Sequence, residues 1–315
     1  MHYNKRVLNV LTKHLLRLVS VAFSLTALSG SFLVHAADQQ HTHKHHHRKI
    51  HRVSFDPSHI NLLSRSALVI DELDHHVVFS KNPDPIQPIA SITKLMTAVV
   101  VLESNQNLDE TLTVSKDDVD TLRFSSSHLR VGAQETRLNF LKMALIASEN
   151  RAASALGRNY PGGLPAFVAK MNEEAKKLGM IHSHFADSSG LNGKNVSSAE
   201  DLVRLVEKAR TIPLIHKITT TSEVTLPVGY RHQMVRFKNT NPLVAKEDWE
   251  IGLSKTGYIN ESGQCLVMEA KITGHPMVIV LLDSHGHQAR INDARRVRQW
   301  LEYRSRTKNT TVGQL

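Results

Sequence analysis

The sequence is poor in cysteine, in aromatic residues and in long apolar runs, and each shortage excludes a class of protein. Cys265 is the only cysteine, so an intramolecular disulfide is excluded and the fold must be stabilised by its core. Because Cys265 lies in an apolar, strand-like run, we expect a buried, inert thiol rather than a nucleophile. Aromatic residues amount to 5% and accompany no organised basic stripe, which argues against nucleic-acid binding. Beyond residue 34, no apolar segment approaches the roughly 20 residues that a membrane-spanning helix needs.

Charge of one sign is missing from the start of the chain, because no acidic residue precedes Asp38. The basic residues there end at Arg17 and are followed by an apolar stretch over residues 18–34 and then by Ala36. This order of basic, apolar and small residues predicts a secretory signal peptide over residues 1–36, removed on export. A membrane anchor is the competing interpretation, but serine, threonine and glycine residues dilute the apolar stretch. We therefore expect a mature protein in the periplasm, with no stable membrane anchor.

Residues 37–65 are predicted to form a flexible tether, because their first part is basic and polar and offers no apolar face to bury. Histidine-rich tracts also bind zinc or copper loosely, so weak metal binding by the tether stays open beside its interpretation as a solvated linker. The histidines of this tract are His41, His43, His45, His46, His47 and His51.

The remaining chain predicts one α+β domain over residues 66–304, followed by a short tail over residues 305–315. Strand patterns stand at both ends of this region and helical patterns lie between them, so we expect both chain ends to share an antiparallel sheet that a helical cluster covers. Helices are predicted over residues 91–102, 138–147, 151–156, 166–178, 199–209 and 291–303. Strands are predicted over residues 67–70, 77–79, 224–226, 234–237, 252–258, 265–272 and 277–282.

Ser91-Ile92-Thr93-Lys94 opens the first predicted helix, which is apolar almost throughout. Residues three apart share a helical face, so the Ser91 hydroxyl and the Lys94 amine can meet. Burial lowers the pKa of a lysine, and a neutral amine beside a serine supplies a nucleophile and its base. The alternative is that Ser91 only caps the helix and Lys94 reaches water. About one chance match to Ser-x-x-Lys is expected in a chain of this length, so the motif alone does not decide.

Two further motifs follow in the chain. Ser148-Glu149-Asn150 lies at a predicted break between two helices, where a hydroxyl and a side-chain amide can face a cleft. An ordinary helix-to-helix turn is the alternative, because serine and asparagine are common turn residues. Lys255-Thr256-Gly257 lies on a late predicted strand, where Lys255 and Thr256 can hold a carboxylate and Gly257 permits close approach. The end of an edge strand is its alternative interpretation.

Taken in this order, Ser-x-x-Lys, Ser-x-Asn and Lys-Thr-Gly form the set recorded for β-lactamases and penicillin-binding proteins. Residues 88–98 resemble the active-serine segment of low-molecular-mass penicillin-binding proteins, and residues 185–191 are similar to a second family segment near the cleft. Residues 252–258 and 263–268 resemble the D-alanyl-D-alanine endopeptidase branch of peptidase S11. The resemblance implies the DD-peptidase fold of the serine β-lactamase-like superfamily.

The resemblance also implies a role for each matching residue. Ser91 would attack the carbonyl of a D-alanine and form an acyl-enzyme, Lys94 would take the serine proton, and the backbone N–H groups of Ser91 and Tyr258 would bind the oxyanion. Peptidoglycan peptides would be the substrates and β-lactam antibiotics the covalent inhibitors, with no cofactor or metal required. The other matching residues would act on the leaving amine or bind the peptide: Ser148 with Lys255 on the amine, and Asn150, Thr256, Gly257 and Tyr258 on the peptide.

Two departures narrow the activity that the resemblance implies. Class A β-lactamases use a Glu-x-x-Leu-Asn motif after Ser-x-Asn, whereas the match at Glu135 precedes Ser148 here. After Gly257 the chain has room for two strands and a helix, but not for the β-rich domain of membrane-bound carboxypeptidases. We therefore expect a D,D-endopeptidase that cuts cross-links between D-alanine and diaminopimelate. The alternatives are a D-alanyl-D-alanine carboxypeptidase and a metal- or wall-binding protein with an inactive site.

Overall fold

A computed structural model of the protein describes residues 59–228, 233–286 and 288–312. The predicted signal peptide and the histidine-rich tract lie outside the described residues. Over the part that is described, no helix combines the length and apolarity needed to cross a membrane.

Seven α-helices, three short 3-10 helices and eleven strands form the regular structure of the described residues. The helices are α1 Thr93–Glu103, α2 Arg137–Ile146, α3 Asn150–Arg158, α4 Gly163–Lys177, α5 Ala199–Arg210, α6 Pro213–Thr219 and α7 Ala289–Val312. The strands are β1 Ser64–Asp71, β2 His76–Lys81, β3 Gln87–Pro88, β4 Thr111–Thr113, β5 Gln134–Thr136, β6 Val196–Ser197, β7 Glu223–Val228, β8 Gln233–Lys238, β9 Glu250–Ile259, β10 Gly263–Ile272 and β11 His275–Ser284.

The predicted sharing of one sheet by both chain ends is confirmed. Five antiparallel strands lie in the order β2-β1-β11-β10-β9, so the first strand pairs with the last and β9 forms an edge. Side chains alternate between the two faces: Leu68 and Val267 pack under the helical cluster, whereas Val69 and Leu266 pack under α7. The fold is therefore α+β, with helices on both faces of the sheet.

Helix α1 is buried on every side, as its apolar sequence predicts. Every residue from Thr93 to Val101 is buried, and the first turn ahead of it, Ala90–Ile92, is a 3-10 helix rather than the α-helix predicted from residue 91. A helix surrounded by protein holds its side chains in fixed positions. Ser91 and Lys94 therefore lie at the start of a buried, rigid helix.

Regular structure runs from β1 at Ser64 to α7 at Val312, and the predicted domain limits are residues 66 and 304. Strand β1 starts at Ser64, because the buried Asp293 carboxylate of α7 accepts hydrogen bonds from the Ser64 N–H and hydroxyl, both at 2.7 Å. Helix α7 continues to Val312, into the predicted tail. Helix α6 and the two-to-three-residue strands β3 to β6 are not predicted from the sequence, since such short segments carry too little periodicity.

Candidate active site

Ser91 and Lys94 face each other at the start of α1. The Lys94 Nζ lies 2.7 Å from the Ser91 Oγ, 2.8 Å from the Asn150 Oδ1 and 2.5 Å from the backbone oxygen of Ser189. A neutral amine has two N–H donors and one lone pair. A neutral Lys94 amine can make all three contacts: it donates hydrogen bonds to the Asn150 and Ser189 oxygens and accepts one from the Ser91 hydroxyl.

Burial suits Lys94 to act as a base. The side chain is fully buried, and burial lowers the pKa of Lys94 from 10.5 to about 7, against the opposing attraction of Asp187 and Glu149. A buried ammonium loses its hydration, so the neutral form is favoured. At neutral pH a substantial fraction of Lys94 can therefore take a proton from Ser91.

The residues after α4 shape the turn that meets Lys94. The Asp187 carboxylate accepts hydrogen bonds from the backbone N–H groups of Ser189 at 2.7 Å and Gly190 at 2.5 Å. The Thr97 hydroxyl of α1 donates to the Ser188 oxygen at 2.7 Å. These bonds fix the Ser189 carbonyl against Lys94, so the segment predicted to lie near the cleft, residues 185–191, does contact the candidate base.

The predicted break between α2 and α3 presents Ser148 and Asn150 to the same cleft. Ser148 has φ of +59°, a conformation that is rare for residues other than glycine, and its Oγ accepts a hydrogen bond from Lys255 Nζ at 3.0 Å. Asn150 begins α3, receives Lys94 on its Oδ1, and donates from its Nδ2 to the Ser125 hydroxyl at 2.9 Å. Strained residues cluster at functional sites, where the surrounding contacts hold them.

Strand β9 carries the third motif, Lys255-Thr256-Gly257. Lys255 is buried, and burial lowers its pKa well below 10.5, with the charges of Lys94 and Arg290 adding to the effect. The Thr256 hydroxyl donates to Thr240 Oγ1 at 2.6 Å. Tyr258 is 55% exposed and lines the pocket beside Ser91. Of the eight predicted site residues, Ser91, Asn150 and Tyr258 line this pocket, Lys94 contacts two of them and Gly257 packs against Ser91. Ser148, Lys255 and Thr256 do not line it, and Ser148 and Lys255 contact each other.

Two glycines allow neighbouring backbone segments to pack closely against Ser91. A Cβ at Gly257 would lie 2.7 Å from the Ile89 oxygen and 3.3 Å from the Ser91 nitrogen. A Cβ at Gly190 would lie 2.0 Å from the Ala90 oxygen and 2.9 Å from the Ser91 nitrogen. Real Cβ atoms do not approach backbone so closely, so only glycine lets β9 and the 190 turn contact the residues around the nucleophile.

Replacing Gly190 by alanine is expected to impair acylation, because the new Cβ would displace the backbone of Ala90 and Ser91. A displacement of about 1 Å at a reacting group can reduce the rate about 100-fold. Overpacking adds about 1–3 kcal/mol of destabilisation to the cost of the positive φ. The rate of labelling by a fluorescent penicillin and the midpoint of urea unfolding measure the two effects.

Gly274→Ala is the matched control, since Gly274 has φ of +87° against +82° at Gly190 but has no atom within 4 Å of the added Cβ. It introduces the same backbone strain, about 1 kcal/mol, without a collision. Equal labelling rates in the two variants would show that the close contact at Gly190 does not matter for acylation.

The sequence did not reveal Arg290, the second residue of the last helix. Its Nη1 donates to the Gly257 oxygen at 2.6 Å and to the Cys265 oxygen at 3.3 Å, so it braces the strand beside Ser91 from the α7 side. Burial lowers the pKa of Arg290. Ser125 and Thr240 were also missed. Each bonds to a motif residue from a distant loop, and no local pattern marks such residues.

A pocket of about 280 Å³ opens in front of the nucleophile. Its lining runs from Ser91 and Asn150 to Arg123, Leu191 and Asn260. The arrangement of a hydroxyl, a buried amine with a lowered pKa, and a second hydroxyl beside a lysine is suited to acyl transfer through a serine ester.

Two residues that the sequence analysis set aside lie away from this chemistry. Cys265 is buried, as predicted, and burial raises the pKa of its thiol to about 11, which keeps it protonated. Glu135 accepts a hydrogen bond from Asn139 Nδ2 at 2.9 Å at the start of α2, and it does not line the Ser91 pocket. Within the described ranges, no group of three or more His, Cys, Asp or Glu residues is arranged to hold a metal ion.

Comparison with known proteins gives a consistent family. Residues 52–286 match the sequence profile of Peptidase S11, described as D-alanyl-D-alanine carboxypeptidase. The chain is similar to a D-alanyl-D-alanine endopeptidase of Pseudomonas aeruginosa, with 46% identity over 76% of this chain and 78% of that protein. It is 40% identical to a D-alanyl-D-alanine endopeptidase of Escherichia coli over the same shares of the two chains.

Solved structures agree on the fold. The crystal structure of the Streptomyces K15 DD-transpeptidase is similar with a TM-score of 0.71 and 28% identity, and the match covers 76% of this chain and 97% of that one. Penicillin-binding protein D2 from Listeria monocytogenes, solved in the cefotaxime-bound form, is similar with a TM-score of 0.68 and 28% identity, over 77% and 98% of the two chains.

Proposed function

Because the chain belongs to the D-alanyl-D-alanine carboxypeptidase family, Peptidase S11, we propose that it is a serine D,D-endopeptidase that cuts peptidoglycan cross-links between D-alanine and diaminopimelate. The enzyme is a hydrolase of D-alanyl peptides. The observation that supports this chemistry best is the 2.7 Å contact between Ser91 Oγ and the fully buried Lys94 amine. The relatives from Pseudomonas aeruginosa and Escherichia coli, both named endopeptidases, favour cross-links over chain ends as the substrate.

Acylation begins with proton transfer from Ser91 to the neutral Lys94. The Ser91 oxygen attacks the carbonyl carbon of D-alanine, and the negative charge on the carbonyl oxygen is bound by the backbone N–H groups of Ser91 and Tyr258. Asn150 orients the substrate amide while it also holds Lys94 through its Oδ1. Arg290 positions the Gly257 peptide, because it binds the carbonyl that precedes the Tyr258 N–H.

The leaving amine receives its proton on the side of Ser148. Ser148 Oγ, in contact with Lys255 Nζ at 3.0 Å, passes the proton that Lys94 took from Ser91 on to the diaminopimelate amine as the peptide bond breaks, so that Lys94 returns to its neutral form. Thr256 binds the peptide next to Lys255. Water then attacks the Ser91 ester, with Lys94 again acting as the base, and releases the D-alanyl carboxylate.

β-Lactam antibiotics acylate Ser91 by the same first step, since the strained amide takes the place of the D-alanyl peptide bond. The cefotaxime-bound Listeria relative supports this expectation. We also propose that the protein is exported to the periplasm by a signal peptide over residues 1–36, where cross-linked peptidoglycan lies. The basic and apolar pattern ahead of Ala36 supports export.

Digestion of purified cross-linked muropeptide dimers tests the proposed activity. The enzyme is expected to convert dimers to monomers, and a Ser91→Ala variant to leave them intact. Release of terminal D-alanine from pentapeptides, with the dimers unchanged, would instead identify a carboxypeptidase.

A further inference from the structure

The cleft has a second charged region that the motifs do not account for, and it begins in the loop over residues 120–125. Asp120 builds this loop: its carboxylate accepts hydrogen bonds from the backbone N–H groups of Leu122, Arg123 and Ser125, each at 2.9 Å. Asp120 is buried, and Phe124 beside it is held at φ of +54° although its side chain is 83% exposed. A bulky residue adopts this conformation only where its surroundings impose it. The loop therefore holds Arg123 and Ser125 in defined positions at the rim.

Arg123 spans the mouth of the pocket. Its Nε donates to the Leu191 oxygen at 2.7 Å on one wall, and its Nη2 lies 2.9 Å from Glu261 Oε2 on the turn between β9 and β10. Among the described residues, Arg123 has no other hydrogen-bond or ion-pair partner. The two N–H groups of its Nη1 can therefore donate to a ligand. The guanidinium lines the pocket, and the Glu261 carboxylate lies beside it, just outside the lining residues, so one positive and one negative group are adjacent at this end.

The direction of β9 indicates which part of a bound substrate lies next to Arg123. The pocket is lined by Tyr258, Ile259 and Asn260, but not by Lys255 or Thr256. Since successive strand residues advance by about 3.3 Å, the pocket extends from Ser91 away from the side assigned to the leaving amine. The part of the substrate that stays on Ser91 as the acyl group therefore points toward Arg123.

We propose that Arg123 and Glu261 form a subsite for a carbon that carries both a carboxylate and an ammonium group, on the side chain of the residue before the scissile D-alanine. Arg123 binds the carboxylate and Glu261 binds the ammonium. A guanidinium offers a planar pair of N–H donors that matches a carboxylate, and charge-assisted bonds of this kind are strong and directional. When such a group binds, the ion pair between Arg123 and Glu261 is replaced by two ion pairs, one between Arg123 and the ligand carboxylate and one between Glu261 and the ligand ammonium.

The ion pair in the free enzyme is suited to this exchange. The Arg123 side chain is 23% exposed and that of Glu261 54%, so water screens their attraction and the pair contributes little to stability. The bond to Leu191 keeps the guanidinium in place when Glu261 turns toward a ligand. Arg123 is fixed by the Leu191 oxygen, whereas the Glu261 carboxylate is exposed to solvent. This arrangement is suited to binding a zwitterion and contributes little to stability.

This inference rests on the proposed function, because it assigns a feature of the same substrate. In stems that cross-link through diaminopimelate, D-alanine follows that residue directly, and the donor stem keeps its side-chain carboxylate and amine free. The subsite then selects the donor stem, whereas the leaving amine is recognised on the side of Ser148 and Lys255. An uncharged or singly charged side chain at that position would leave part of the Arg123–Glu261 pair without a partner.

Crossed specificity tests the subsite. Cross-linked dimers are prepared with a donor diaminopimelate whose side chain is unmodified, converted to the carboxamide, or acetylated on the amine, and kcat/KM is measured for each. The wild-type enzyme is expected to prefer the unmodified donor about 10- to 100-fold over both derivatives. Arg123→Gln is expected to lose the preference over the carboxamide, and Glu261→Gln the preference over the acetylated amine.

Arg298→Gln is the matched control. Arg298 is 25% exposed, pairs with the exposed Asp248 at 3.0 Å and donates to a backbone oxygen, but it lies on α7 and lines no part of this pocket. It should keep the wild-type preferences.

Three results would overturn the subsite: equal rates on the three donors in the wild type, a single variant that loses both preferences, or a parallel loss of penicillin acylation. If the wild type accepts penicillin but cleaves no dimer, the endopeptidase function fails by itself. The same donors are then compared by release of terminal D-alanine, which decides the subsite separately.

Discussion

Replacing Ser91 by alanine is expected to abolish covalent labelling by fluorescent penicillin and to reduce dimer hydrolysis by about 10⁵-fold or more. The physical reason is that both reactions pass through an ester on the Ser91 oxygen. The neighbouring hydroxyls of Ser148 and Ser125 accept hydrogen bonds from Lys255 and Asn150, so they are committed to other contacts. Neither is bonded to the Lys94 amine, and neither can replace the nucleophile.

The loss must be separated from a failure to fold. Ser91 is only half-buried, and removing one hydroxyl costs the fold at most about 1–2 kcal/mol. Ser104→Ala serves as the control, because Ser104 directly follows the same helix and, among the described residues, its hydroxyl bonds only to the Val100 oxygen. It should keep full labelling. Labelling of Ser91→Ala at the wild-type level would refute the assignment of the nucleophile.

The second large effect is expected at Lys94. Arginine at this position stays protonated at any working pH and cannot accept the Ser91 proton, so Lys94→Arg should reduce acylation by about 10²- to 10⁴-fold. Lys94→Ala should show a similar loss, since it removes the base and leaves a cavity beside Asn150 and Ser189. Added small primary amines are expected to restore part of the activity of Lys94→Ala, which a variant that had lost its fold would not show.

The pH dependence follows from the pKa of about 7 for Lys94. The neutral amine is the active form, so kcat/KM should rise about tenfold per pH unit below the pKa and level off above it. Without burial the midpoint would lie near 10.5, because the protonated form would persist across the neutral range. A midpoint well above 9 in stopped-flow acylation would show that Lys94 remains charged and that another group is the base.

Some features of this protein follow from the sequence itself because their causes are local. The first two strands, the apolar helix α1 and the late strands were predicted because apolar periodicity acts over a few positions. The spacing of Ser91 and Lys94 within one helical turn brings them to one face in any helix. The motif order predicted the family, and family membership is shown by the match over residues 52–286.

The tertiary structure decided the contacts between segments that lie far apart in the chain. Lys94 meets Ser189 across 95 positions, Ser148 meets Lys255 across 107, and the 120–125 loop reaches the β9–β10 turn through Arg123 and Glu261. No local pattern encodes such neighbours, because they depend on how helices and strands pack. The sequence alone therefore determined which groups could react. Packing decided that Lys94 is buried, which suits it to act as a base, and that the ion pair of Arg123 and Glu261 lies beside the Ser91 pocket.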